Sequence, residues 1–138
     1  MKKEIKYNSN LLKTGAAIQD TKVLLKHWRN DIPQKELVQS LISDNVLGKK
    51  SRKRTYDVLR CTFIPRYING YPKDHWIYLK KLAEADISSS LINPILYFQT
   101  AINEPLIMDF VTKFLLSNYR NGILEVTSEN VRRFIRDG

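Results

Sequence analysis

The sequence predicts an all-α protein, a compact bundle of about seven short helices. Three observations support this fold class. Apolar residues recur at intervals of three and four, which is the spacing of one face of an α-helix. Prolines and N-capping residues separate these apolar segments at short intervals. Only five glycines and five prolines occur in 138 residues, too few for a loop-rich all-β protein with many tight turns.

The first half of the chain predicts three helices. The first begins at Thr14, a suitable N-cap, and ends before Pro33, which cannot continue a helix. The second follows from Pro33, with Gly48 as its C-terminal cap. The third covers residues 51–67, and Pro65 should kink or end it. The residues predicted to face inward are Ala17, Thr21, Leu24, Leu25 and Trp28 in the first helix, Leu37, Val38, Leu41 and Ile42 in the second, and Tyr56, Leu59, Thr62, Phe63 and Tyr67 in the third.

Two more helices are predicted in the middle of the chain. Residues 69–72 form a turn by composition. Asp74 then caps a fourth helix, and Asn93-Pro94 has the pattern of a fifth helix start, a capping residue followed by proline. The inward residues of the fourth helix are predicted to be Trp76, Leu79, Leu82 and Ala83.

The last two predicted helices follow Asn103-Glu104-Pro105 and Thr127-Ser128. The helix over residues 105–119 has apolar residues around much of its circumference, and we expect it to be the central buried helix. Thr127 or Ser128 caps the final helix. The residues predicted to be buried in the two helices are Leu106, Ile107, Phe110, Val111, Phe114 and Leu115, and then Val131, Phe134 and Ile135.

The domain organisation predicted is an irregular basic arm over residues 1–13 followed by one helical domain over residues 14–138. The chain ends at Gly138 directly after an apparent helix, so we expect the gene product to continue. Neither a signal peptide nor an apolar segment of about 20 residues occurs, which favours a soluble, cytoplasmic protein without membrane contact. The single cysteine excludes an intrachain disulfide.

The charge is strongly basic, with 23 Lys and Arg against 14 Asp and Glu. A surplus of this size attracts polyanions, of which nucleic acid is the commonest. The densest basic run is Lys49, Lys50, Arg52, Lys53 and Arg54, with Arg60 and Arg66 following on the same predicted helix. Cations at a helix N-terminus oppose the helix dipole, but they become favourable when a phosphate docks there. The alternative is a solvated basic loop.

Secondary basic groups lie on the first and last predicted helices. Their members are Lys22, Lys26 and Arg29, and Arg132, Arg133 and Arg136. Either group can extend a binding surface, although each is more typical of ordinary exposed surface.

No catalytic, metal or cofactor site is predicted. His27 and His75 lack a second ligand at a usual spacing. Cys61 has no nucleophile signature and is expected to be buried and inert. Asp20-Thr21-Lys22 has the end of a nuclease D-x-K motif without its upstream acidic partner.

Two segments resemble the BrxA family, small accessory proteins of the BREX bacteriophage-exclusion systems. They are residues 14–25 (TGAAIQDTKVLL) and residues 45–54 (NVLGKKSRKR) together with 63–67 (FIPRY). The resemblance implies a helical fold similar to the antitermination factor NusB. It also implies binding of double-stranded DNA through a basic surface, in host defence against phage, and members that are usually longer than this chain.

The function predicted is therefore a non-enzymatic, DNA-binding accessory protein of a BREX system, with other BREX proteins as further partners. Two alternatives stay open. One is an adaptor that docks on an acidic partner protein within a defence complex, and the other is an RNA-binding module like NusB.

Overall fold

The computed structural model describes residues 14–137, and the predicted arm over residues 1–13 lies outside them. The described residues form seven helices and no β-strand, so the all-α fold class is confirmed. The helices are α1 (Ile18–His27), α2 (Gln34–Ser43), α3 (residues 52–68), α4 (Trp76–Glu84), α5 (Ser89–Asn103), α6 (residues 105–120) and α7 (Ser128–Asp137).

The described chain falls into two compact units, residues 14–103 with α1 to α5, and residues 104–137 with α6 and α7. The hydrophobic core lies entirely in the first unit. Its buried members are Ile18, Leu24, Leu25, Trp28, Leu37, Leu41, Val58, Leu59, Phe63, Tyr67, Trp76, Leu79, Ala83, Ile92 and Leu96.

Helix α3 is the central helix of the first unit. It begins as an α-helix over Arg52–Asp57 and continues as a π-helix over Val58–Ile68. The observed range agrees with the predicted helix over residues 51–67. Pro65, which has no amide hydrogen to donate, lies inside the wider π-helical stretch and does not end the helix at that point. Phe63 packs edge-on against Trp28 and is stacked on Tyr67, with ring centroids 5.3 and 5.7 Å apart.

The helix over residues 105–119 is not the central buried helix, so that prediction is wrong. Among residues 104–136 only Glu104 and Asp109 are buried. The apolar side chains of this unit form a small aromatic cluster instead. Phe110 lies 5.2 Å from both Phe114 and Phe134, measured between ring centroids. The apolar residues around this helix led to the expectation that it is buried. A unit of only two helices does not cover them.

Two predicted helix boundaries in the first unit are wrong because of backbone conformation. Gly15 and Ala17 have φ of 62° and 48°, so α1 begins at Ile18. The hydroxyl of Thr14, the predicted cap, instead hydrogen-bonds that of Thr62. Helix α2 ends at Ser43, well before the predicted cap Gly48.

The starts of α4 and α5 also differ from prediction. Asp74 adopts a φ of 59°, and α4 begins at Trp76 with His75 as its cap. Helix α5 begins at Ser89, so Pro94 lies inside it rather than at its start. The starts of the last two helices agree better with the sequence.

Helix α6 begins at Pro105, as predicted, although Glu104 at the cap position makes no capping hydrogen bond with its side chain. The Thr127 hydroxyl accepts from the Asn130 amide at 3.1 Å and caps α7, which is also as predicted. Ile135 is 51% exposed, however, so its predicted burial is wrong.

Candidate nucleic-acid interface

The basic run occupies the connection between α2 and α3 and the first turn of α3. Ser51 caps α3, with its hydroxyl oxygen accepting from the Arg54 amide at 3.2 Å. The preceding connection is held by Asn45, whose side-chain oxygen accepts from the Lys49 amide at 3.0 Å. Its amide nitrogen donates to the Lys49 carbonyl at 3.2 Å. The backbone that carries the basic run is therefore fixed at both ends.

Four of the cations in the run are exposed to solvent: Lys50, Arg52, Lys53 and Arg54. Within residues 14–137, none of their side chains has a hydrogen-bond or ion-pair partner. Three of them lie in the first turn of α3, where the helix dipole disfavours positive charge by a few tenths of a kcal/mol each. The local structure thus presents unneutralised charge beside free backbone amides.

Lys49 differs from its neighbours because it has an acidic partner. Its Nζ lies 2.8 Å from Oδ2 of Asp20 on α1, and the two side chains are 30% and 21% exposed. The pair joins the basic run to α1. A phosphate that reaches Lys49 has to compete with this carboxylate.

A depression of about 480 Å³ lies against the basic run. It is mainly polar, and it contains two carboxylates beside its cations. The lining residues are Thr14, Asp20, Lys49, Ser51, Lys53, Arg54, Asp57 and Val58. We call this the basic depression.

Arg60 and Arg66, predicted to support the basic run, have different environments. Arg60 is exposed, and its guanidinium lies 5.8 Å from the ring centroid of Tyr56. Arg66 is fully buried and donates from Nη1 to the Gly15 carbonyl at 2.8 Å. A side chain without exposed surface cannot meet a phosphate, so the prediction for Arg66 is wrong.

Tyr56 was predicted to face the core, but it is 46% exposed, so that prediction is also wrong. Lys53 precedes it by three residues and Arg60 follows it by four. On a helix this spacing puts all three on one face. The spacing of its charged neighbours in the sequence therefore indicates that Tyr56 is exposed.

The secondary basic group formed by Lys22 and Lys26 on α1 and by Arg29 just after it is largely neutralised. Lys26 pairs with Asp86 at 2.8 Å, and this hydrogen bond lowers the pKa of the Asp86 carboxyl. Arg29 similarly pairs with Asp31 and lowers the pKa of that carboxyl. The other group, Arg132, Arg133 and Arg136, is exposed on α7.

No group of three or more His, Cys, Asp or Glu side chains converges within residues 14–137. His27 donates from Nδ1 to the Val23 carbonyl at 2.9 Å. His75 donates from Nδ1 to the side-chain oxygen of Gln99 at 2.9 Å. Each histidine ring therefore has a hydrogen-bond partner within the protein. Cys61 is buried, as predicted. In the described part of the chain, no helix is long and apolar enough to cross a membrane.

The sequence matches the family model of BrxA over residues 5–138. No curated protein and no solved structure matches the chain, so the similarity to NusB stays a prediction. The family match covers almost the whole chain, including the connection and first turn that carry the basic run. The chain belongs to the BrxA family, and with it to the proteins of the BREX phage-defence systems.

Proposed function

We propose that this BrxA-family chain is a non-enzymatic, DNA-binding accessory protein that contacts the phosphate backbone of duplex DNA through residues 49–54. The observation that carries the proposal is the group of four exposed cations without partners, Lys50, Arg52, Lys53 and Arg54, at the capped start of α3. Selection for stability alone would favour acidic residues at these positions. A basic first turn is consistent with an anionic ligand.

Phosphate fits this arrangement for three physical reasons. The first amides of a helix have no partner within the helix and can donate to an anion. Arginine grips two phosphate oxygens at once, and lysine adds a point charge. The capped start of α3 holds these groups on fixed backbone, which lowers the entropy lost on binding.

Such contacts give affinity and orientation without a choice of sequence. We therefore expect weak sequence preference from residues 49–54. Membership in a BREX system also suggests other BREX proteins as partners. A protein-binding surface would then lie beside the DNA-binding surface rather than replace it.

The test is a salt titration of duplex DNA binding by fluorescence anisotropy. If residues 49–54 make about four to five phosphate contacts, log Kd should change with log salt by about 0.9 per contact, roughly 3.6 to 4.5 in all. Replacing the five cations of the run with alanine should flatten this dependence and weaken binding equally on unrelated sequences. The free energy of unfolding should change by less than about 1 kcal/mol, because the loss of the Lys49–Asp20 ion pair offsets the removal of cations from an unfavourable helix N-terminus.

The matched control removes the same charge elsewhere in the first unit. Its five alanine substitutions are at Lys22, Lys26, Arg29, Lys73 and Lys81. This control should keep most of the salt dependence if binding is local to residues 49–54. Equal losses in the two variants, or no loss in the first, would contradict the proposal. Tighter binding of an RNA hairpin than of duplex DNA would replace it with the RNA-binding alternative.

A further inference from the structure

A second depression, of about 520 Å³, lies between α2 and α3. Its floor is apolar and consists of Val38 and Ile42 from α2 and of Leu59 and Ile64 from α3. We call it the apolar groove. Its volume falls within the range of about 300–1000 Å³ that ordinary ligand sites have.

The rim of the apolar groove carries positive charge on both helices, Lys35 on α2 and Arg60 on α3. Both side chains are exposed, and neither pairs with an acid among the described residues. Glu36, the acidic sequence neighbour of Lys35, does not line the groove, because adjacent residues of a helix face different directions. Elsewhere in the described chain, Lys26 and Lys80 do pair with acids. The rim is therefore basic, over a floor that has no charged group.

We propose that the apolar groove binds an acidic amphipathic helix of a partner protein. Apolar side chains spaced three and four residues apart would fill the floor, which is the usual way that a helix is held in a groove. Carboxylates on either side of that apolar stripe would meet Lys35 and Arg60. This proposal does not depend on DNA binding at residues 49–54.

The positive charge of the rim favours an acidic helix of a partner protein over a second copy of this chain and over residues 1–13. A second copy of the chain would bring a formal charge of +9 to a basic rim. Residues 1–13 carry four lysines and one glutamate, which is the wrong sign as well. An acidic segment from another protein is the complementary choice, since opposite charges speed association and suppress wrong partners.

The nucleic-acid alternative for the groove is an unstacked base. Tyr56 lies at the groove and is exposed, so a base from a single strand has an aromatic ring to stack on. An intact duplex keeps its bases stacked and so cannot present a base face to Tyr56. Single-stranded DNA is therefore the second probe in the test.

The experiment measures binding of a fluorescent synthetic peptide by anisotropy. The peptide has about 16 residues, long enough to form a helix, with leucines at helical spacing and glutamates on its other face. Lys35→Glu with Arg60→Glu should weaken its binding about tenfold. The same variant should gain binding of a second peptide in which every glutamate is replaced by lysine.

The matched control is Lys73→Glu with Lys81→Glu, which changes the net charge equally away from the groove. It should leave both affinities within about twofold of the original protein. Val38→Thr tests the floor at nearly constant volume and should also weaken the leucine peptide, because it places a hydroxyl against an apolar side chain. Thermal melts verify that each variant is folded.

Three results would overturn the proposal. The first is that a scrambled peptide of the same composition binds equally well. The second is that both charge variants weaken binding to the same extent. The third is that Val38→Thr weakens binding of single-stranded DNA and leaves peptide binding unchanged, which would identify the groove as a base pocket.

Discussion

The two ends of α3 use positive charge in opposite ways. At its first turn, Arg52, Lys53 and Arg54 are exposed and have no ion-pair partner among the described residues. In its last turn, Arg66 is completely buried and donates to the Gly15 carbonyl. The sequence presents these arginines and lysines as one basic series. The structure separates them into a surface group and a core group.

The helix dipole explains part of this difference. Cations near a helix C-terminus are favoured and those near its N-terminus are disfavoured, each by roughly 0.3–1 kcal/mol at exposed sites. Arg66 is on the favourable side and holds the segment before α1. The cations of the first turn lie at the N-terminal end, where the dipole disfavours them, and they form no ion pair within the described chain. Positive charge that lowers the stability of the fold is therefore a better indicator of a binding surface than positive charge that raises it.

The strongest test of this comparison is Arg66→Ala, which should destabilise the fold by about 3 kcal/mol. The substitution leaves a cavity in the core and the Gly15 carbonyl without its donor. Urea unfolding measures the change in the free energy of unfolding. At temperatures where the variant is folded, its salt dependence of DNA binding should equal that of the original protein.

The control for this prediction is Arg54→Ala, the same substitution at the exposed end. Its free energy of unfolding should lie within about 0.5 kcal/mol of the original value. Equal destabilisation by the two variants would remove the distinction between the two ends of α3. If Arg66→Ala loses the salt dependence of DNA binding, Arg66 contributes to DNA binding in spite of its burial.

How far the sequence predicts the fold depends on whether the deciding signal is local. Pro105 at a first helical position and the Thr127 cap are local signals, and both were predicted correctly. The positive φ of Ala17 and the π-helical form of α3 around Pro65 have no local signal in the sequence. Neither is encoded in the residue type, since alanine rarely adopts positive φ and proline usually ends a helix.

The same distinction applies to the candidate site. The density of charge at residues 49–54 locates the run, and the Ser51 cap makes its exposure at a helix start predictable. The pairing of Lys49, in the connection before α3, with Asp20 on α1 joins residues far apart in the sequence, so no local pattern predicts it. The burial of Arg66 was missed because arginine is rarely buried completely.

A smaller effect is expected at the cap that fixes the exposed end. Ser51→Ala removes the acceptor of the Arg54 amide and should lower the free energy of unfolding by about 1 kcal/mol. Amide hydrogen exchange at residues 52–54 should become faster because the first turn frays. Ser40→Ala, an exposed serine within α2, is the control and should change the stability by less than about 0.5 kcal/mol. Unchanged exchange at residues 52–54 would mean that the turn is held by other contacts.

The smallest effect concerns the one cation of the basic run that has an acidic partner. Asp20 holds Lys49 at 2.8 Å and lines the basic depression itself. A phosphate in the depression would be repelled by this carboxylate and would have to displace it from the lysine. An ion pair that keeps part of its surface in contact with solvent, as this one does, contributes on the order of 1 kcal/mol to folding. If residues 49–54 bind DNA as proposed, we therefore expect the Asp20 carboxylate to affect DNA affinity more than stability.

Asp20→Asn should raise affinity for duplex DNA about threefold at low salt and steepen the salt dependence by up to about 0.9, one additional phosphate contact. Asparagine keeps the size of the side chain, so only charge is removed. The control is Asp86→Asn, which frees Lys26 from a pair of the same 2.8 Å length outside the run. An equal gain in the control would indicate that net charge, not the basic depression, sets the affinity. A weaker complex with Asp20→Asn would instead mean that the carboxylate orients Lys49 toward DNA.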